Sequence, residues 1–168
     1  NHRIPTRARL RVKEDAWKDD YPSTIKGDRL YPQAGHYAGG NVSYSDAEIQ
    51  FLAAVQADGS YVAEGGIVFF FKKQRKINRL REILNEVCPD FTEGEASAEG
   101  YWRFYVGRNS NAYLLAKRLM PDKKFGPWIL DLNRHCLDVL ANEVFEWDGL
   151  STRKTEYSSS EKQNADWI

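Results

Sequence analysis

The sequence predicts an α+β protein in which hairpins build an antiparallel sheet that helices cover. Three observations predict it. Ser45–Gly59 (SDAEIQFLAAVQADG) reads as an apolar helix with a start and a stop signal. It is followed by hairpin, helix, hairpin and helix in turn. Asp138–Gly149 (DVLANEVFEWDG) then ends in the same Asp-Gly pair, as though a second round were beginning.

The 168 residues suffice for one domain, or two small ones, with a real core. With 42% hydrophobic and 13% aromatic residues, the composition is not that of a disordered chain. The formal net charge is zero, which gives no global argument for nucleic acid. The charges are nonetheless clustered. Lys72, Lys73, Arg75, Lys76, Arg79 and Arg81 form a run without an acid, and the arm Arg3–Lys13 is basic. Such clusters are the electrostatic footprint of phosphate binding. Cys88 and Cys136 lie outside any metal-ligand spacing and read as buried, reduced thiols. No apolar run approaches the ~20 residues of a membrane span, and no signal peptide is recognisable. The chain lacks an initial Met and stops inside a predicted helix, so it reads as a fragment of something longer.

In order, residues 1–43 show little helical periodicity. Arg9–Val12 alternates like a strand, and Pro22, Pro32 and Gly35–Gly40 mark a loop or linker. Ser45-x-x-Glu48 is a capping box, and Gly59 suits a left-handed C-cap. Ile49, Leu52 and Val55 recur at helical spacing, and Ala53, Ala54 and Ala57 leave one face bare for another helix. Asp58 falls where the helix dipole is already negative, so it requires a positive partner. Ser60–Lys73 reads as two strands around Gly65-Gly66, with Tyr61–Ala63 in one and Ile67–Phe71 in the other.

Gln74–Val87 is an amphipathic helix with Ile77, Leu80, Ile83, Leu84 and Val87 on its apolar stripe, ended by Pro89. Phe91–Ala98 and Tyr101–Val106 form a second hairpin around Glu99-Gly100. Ser110–Met120 is helical through Tyr113, Leu114, Leu115 and Leu119, and Trp128–Asn133 is a short element of undecided type. Leu137–Asp148 is the second Asp-Gly helix. Arg153–Ser158 alternates, and Ser160–Ile168 starts another helix. Two apolar helices each ending in Asp-Gly suggest a paired site that holds a cation.

These residues resemble the LAGLIDADG homing endonuclease family. Phe51–Gly59 (FLAAVQADG) is similar to its nine-residue motif, and Ala141–Gly149 (ANEVFEWDG) looks like a degenerate second copy. The resemblance covers about 45–168 and implies an αββαββα repeat with an antiparallel DNA-binding sheet, the second repeat truncated. Asn1-His2-Arg3 looks like the block-B segment of an intein, which implies His2 as the splicing histidine and a Hint-type context. The implied domains are 1–43 as partial splicing segment and linker, 44–133 as the first repeat and 134–168 as the start of the second. The first motif has small residues, Ala53 and Ala57, at its third and seventh positions. The second has Glu143 and Trp147 there, and a buried Glu needs a partner.

The resemblance implies that the motif helices pack side by side and bring Asp58 and Asp148 close together. Two carboxylates so near raise one pKa, a penalty that Mg2+ or Mn2+ removes. Asp58, Asp148, Gly59 and Gly149 are the implied metal ligands; Arg108 is the supporting catalytic residue, and Gln56 and Glu146 position water. The implied DNA contacts are Tyr61, Ala63, Arg103, Tyr105, Arg153 and Lys154 on the sheet, with Lys72, Lys73 and Arg75 on phosphates. The implied protein is an intein-borne endonuclease that makes a metal-dependent double-strand break in DNA. It is expected to be a pseudo-symmetric monomer in the cytoplasm, phage- or prokaryote-encoded, acting on nucleoid-associated DNA and flanked by host exteins. The alternatives are a degenerate relative that binds DNA or RNA without cutting, and a splicing intein with an inactive insert.

Overall fold

The computed structural model describes residues 23–26, 29–32, 40–96 and 100–148. The chain divides into two compact units, 1–38 and 39–168. In the first, β1 (Ser23–Lys26) and β2 (Arg29–Pro32) pair antiparallel, with Ser23 opposite Pro32 and Lys26 opposite Arg29. This hairpin replaces the loop expected around Pro32. That proline ends the strand, where its missing N–H costs the ladder least. Arg9–Val12, Pro22 and Gly35–Ala38 lie outside the described residues, as do the strand and helix expected beyond Gly149.

Among the described residues, the second unit has α+β architecture with four helices and a small antiparallel four-stranded sheet. Its elements are α1 (Asp46–Asp58), β3 (Ser60–Tyr61), β4 (Ile67–Phe71), α2 (Gln74–Val87), β5 (Thr92–Glu95), β6 (Trp102–Val106), α3 (Asn111–Leu119), a 3-10 turn at Pro127–Asp131 and α4 (Arg134–Asp148). The strand order is β3-β4-β6-β5, all neighbours antiparallel. No helix among the described residues is long and apolar enough to cross a membrane.

The capping box at the start of α1 is complete. Ser45 Oγ accepts from the Glu48 amide at 3.2 Å, and Glu48 Oε2 accepts from the Ser45 amide at 2.8 Å. The helix is buried nearly all round: Ala47, Ile49 and the whole run Phe51–Gln56 are inaccessible. A helix apolar on every face belongs inside a core rather than on one. Gly59 does not adopt the left-handed cap expected of it. Its backbone is extended, at φ −71° and ψ 156°. Glycine is needed for space instead, because a Cβ there would stand 2.9 Å from Val55 Cα and 3.1 Å from the Phe69 ring. Gly65 and Gly66 do require positive φ, at +89° and +113°.

Side chains alternate between the two faces of the sheet, although Val68 on the outer face is also buried. Ile67, Phe69, Phe71, Phe104 and Val106 are buried against the helices, while Phe70 and Arg103 face out opposite each other. In α2, Ile77, Leu80, Ile83 and Leu84 are buried as the stripe predicts. In α3 the buried residues are Ala112, Leu115 and Ala116; Leu114 is exposed. Aliphatic bulk was a poor guide there, because the small alanines mark the side where the helix comes closest to the core.

Arg81 fastens α2 to the sheet edge. Its Nε and Nη2 donate to Glu93 at 2.9 and 2.8 Å, and Trp102 Nε1 donates to the same carboxylate at 2.7 Å. The Arg81 hydrogen bonds, helped by Trp102, hold the Glu93 carboxyl below its ordinary 4.5. A carboxyl whose folded pKa is lowered stabilises above its unfolded pKa, and the effect is lost as pH falls through the folded value. Glu93→Gln should therefore be less stable than wild type near neutral pH by under about 1 kcal/mol, the range for a partly exposed pair. Denaturant midpoints of the two proteins should converge near pH 2. A gap unchanged by pH would assign the difference to packing instead.

Candidate functional site at the paired helix ends

Helices α1 and α4 form the most extensive helix–helix contact of the described residues. They run parallel, and the contacts at both ends establish this. At the start, Val42 bridges Leu132 in parallel, Gly40 N–H donates to Leu132 O at 2.6 Å, and Asn133 N–H donates to Val42 O at 2.8 Å. His135 Nε2 lies 2.7 Å from Asp46 Oδ1, joining the first turns. At the far end, Lys76 Nζ is 2.5 Å from Asp58 Oδ2 and 5.7 Å from the Trp147 ring. The two helices therefore begin together and finish together, each at an aspartate.

The seam is polar at one point, where Arg79 and Glu143 also line a cavity of about 520 Å3. Glu143 is only 3% exposed. Arg79 Nε donates to Glu143 Oε1 at 3.0 Å, the Arg79 Nη2 meets Oε2, and Trp147 Nε1 donates to Oε1 at 2.9 Å. Both carboxylate oxygens are satisfied, which is the condition for burying a charge. Glu143 and Trp147, the two residues that break the small-residue pattern of the second motif, are thus partners of each other. Trp147 also stacks against Phe71 of the sheet, with ring centroids 5.7 Å apart.

The basic run serves this seam. Arg75 Nη1 donates to the Glu146 carbonyl at 2.6 Å, Lys76 pairs with Asp58, Arg79 with Glu143 and Arg81 with Glu93. Three of these cations neutralise groups at or near the C-terminal turns of α1 and α4, where helix dipoles concentrate negative charge. Lys123 adds a contact to Ala57 O at 3.4 Å. The sequence signalled that Asp58 and Glu143 each needed a cation. It did not say which, because the partners lie 18 and 64 positions away.

Asp58 is 28% exposed at the end of α1. Asp148 closes α4, while its carboxylate, Gly149, Arg153, Lys154 and His2 lie outside the described residues. Arg108 is exposed in the turn after β6, its stem against Gly65, where an added Cβ would come within 2.9 Å of Arg108 Cβ. Gln56 is buried in α1. Among the described residues, no three His, Cys, Asp or Glu side chains converge as a ready-made metal cage.

The open face of the sheet carries Ser60, Val68, Phe70, Thr92, Gly94, Arg103 and Tyr105, because these are cross-strand partners in one register. It is concave, with a groove of about 630 Å3. Phe70 is 51% exposed there. Tyr61 is on the opposite face: its hydroxyl donates to Met120 O at 2.8 Å, it stacks edge-on against Tyr113, and burial pushes its pKa up to about 12. Ala63 is exposed in the turn rather than in a strand. Lys72 lies over the Tyr101 ring at 4.3 Å, and Lys73 is exposed at the α2 N-terminus.

No protein-family model matches the chain. The chain is similar to the β subunit of ribonucleoside-diphosphate reductase from Aquifex aeolicus (strain VF5), at 26% identity over 139 residues. The match takes in 71% of this chain and spans 19% of that relative's length.

Proposed function

We propose that the chain belongs to a LAGLIDADG-type DNA endonuclease, carried as an insert within an intein, that makes metal-dependent double-strand breaks. The parallel packing of α1 and α4, with an aspartate at the same end of each, is the observation that carries the reading. The order of elements and the uncovered sheet face add support.

The donor chemistry suits Mg2+ or Mn2+. Asp58 offers a hard carboxylate at a negative helix end, and it already holds a cation, the Lys76 ammonium. Asp58 and Asp148, with the carbonyls of Gly59 and Gly149, would hold the ions. Bound there, the ions would polarise a phosphate and favour hydroxide. The chain's own groups orient DNA. Arg103 and Tyr105 share the open sheet face with Thr92 and Phe70, and there they would meet base edges. Lys72 and Lys73 flank the strand end and suit phosphates.

The test is cleavage of a plasmid carrying the uninterrupted host gene by the full-length protein with Mg2+. Asp58→Asn should reduce cutting by at least about a thousandfold while leaving DNA retention nearly unchanged. Undiminished cutting by that variant would remove Asp58 from the chemistry. The second reading, a relative that binds without cutting, is favoured by the Lys76 contact, which satisfies Asp58 without metal. It predicts retained DNA and no cleavage by the wild type.

A further inference from the structure

We infer that the open face of the sheet holds a single-stranded stretch of nucleic acid, with an unpaired base stacked on Phe70 and neighbouring phosphates on Lys72 and Arg103. The inference rests on the proposed reading of that face as the nucleic-acid surface, and it adds an unpaired strand to the duplex as its ligand. It does not depend on cleavage.

Aromatic and basic side chains interleave on this face. Phe70 stands opposite Arg103 in the register of β4 and β6, and Val68 stands opposite Tyr105. Lys72 continues the outward alternation past Phe70, and Tyr101 precedes Arg103 in the same way. Each tyrosine is covered by a cation. Lys72 Nζ lies 4.3 Å from the Tyr101 ring centroid, and the Arg103 guanidinium lies 5.8 Å from that of Tyr105. The Tyr105 hydroxyl is also tied to Gly65 O. Phe70, flanked in the register by both cations, is the ring left open, at 51% exposure.

Charge is sorted across the sheet. The outward positions of β4, β5 and β6 and their extensions carry Lys72 and Arg103 and, among the described residues, no acid. Glu93 and Glu95 border the groove but fall opposite Phe104 and Trp102, on the other side, and Glu93 is already paired with Arg81. In a chain of zero formal net charge, such a basic face favours a polyanion. Phe70 decides its form. In a duplex the bases stack on one another and offer a groove only their edges. A flat ring gains stacking from a base whose own face is free, and every unpaired base has one. The groove of about 630 Å3 is bounded at β5 by Thr92, Gly94 and Ala96, and a Cβ added at Gly94 would meet nothing within 4 Å. These small residues leave a strand room to lie across the sheet.

The experiment is fluorescence anisotropy of the full-length protein with labelled oligothymidylate, oligouridylate and a mixed-sequence duplex, each about 16 nucleotides long. The single strands should bind more tightly than the duplex, and a preference for one of them assigns the site to DNA or to RNA. Phe70→Ala and Phe70→Leu should weaken single-strand binding about tenfold to a hundredfold, the value of one stacked base, and Phe70→Trp should retain it. Leucine keeps the apolar bulk, so its loss reports the ring. Arg103→Gln should lower the slope of log affinity against log salt by about 0.7, one phosphate contact on a single strand, whereas the Phe70 variants should leave the slope unchanged. Single-strand binding unaltered in Phe70→Leu, or a duplex bound more tightly than both single strands, overturns the inference and leaves the endonuclease reading standing. No binding of any of the three oligonucleotides overturns the inference, and together with no plasmid cleavage it overturns the endonuclease reading as well.

Discussion

Arg79→Ala should destabilise the protein by about 2 to 3 kcal/mol, because it strands the buried Glu143 carboxylate while Arg79 itself is 35% exposed and partly screened by water. Glu143 is 3% exposed, and without Arg79 it keeps, among the described residues, the Trp147 indole as its donor. An uncompensated carboxylate between two helices must take up a proton, draw in water or force the helices apart, and each alternative weakens the seam. Glu143→Gln removes the charge and keeps the shape, so it should cost less, about 1 to 2 kcal/mol. The double variant Arg79→Met, Glu143→Met should recover much of the loss, since apolar replacement of both partners is often close to neutral. Urea unfolding of the four proteins gives the comparison. A loss below about 1 kcal/mol for Arg79→Ala would mean that water reaches Glu143 and that the pair does little for the seam.

Gly66→Ala should cost about 2 to 4 kcal/mol, the sum of backbone strain and overpacking. Its φ of +113° is strained for any residue with a Cβ. An added Cβ would also come within 2.7 Å of the Val106 carbonyl and 2.8 Å of the Tyr105 ring. Gly100 separates the two contributions, because its φ is +76° and nothing lies within 4 Å of its added Cβ. Gly100→Ala should therefore show strain alone, about 1 kcal/mol. Equal losses at the two positions would remove the role assigned to the close approach of β6. The damage at Gly66 should also reach the outer face, because Tyr105 is held to the turn by its hydroxyl bond to Gly65 O at 3.1 Å.

Local chemistry was legible in the sequence wherever partners are neighbours. Ser45 and Glu48 are three residues apart, and their reciprocal bonds could be read directly. Gly65-Gly66 marked its turn for the same reason, and the α2 stripe needed only periodicity. Gly59 was recognised as necessary for the wrong cause. Left-handed caps are a property of one residue, whereas its collision with Phe69 depends on where β4 lies. The face of the sheet was not legible, since Tyr61 and Arg103 both alternate correctly and only the register separates them. The basic run was the largest gap. Its six cations look alike in sequence, yet Arg75, Lys76, Arg79 and Arg81 each meet a different long-range partner. Pairing of that kind follows from the fold and cannot be read before it.

The clasp at the start of α1 and α4 also bears on the order of folding. The Tyr44 amide meets Cys136 Sγ at 3.4 Å across 92 positions of chain. Closing a loop of that length costs about 4 kcal/mol in chain entropy before the contacts repay it. Hairpins and the helices between them close much shorter loops and need no such advance. Docking of α4 is therefore expected to be the late, rate-limiting event, and its release the first step of unfolding. The C-terminal turns of α1 and α4 would then come together only in a chain whose folding is otherwise complete.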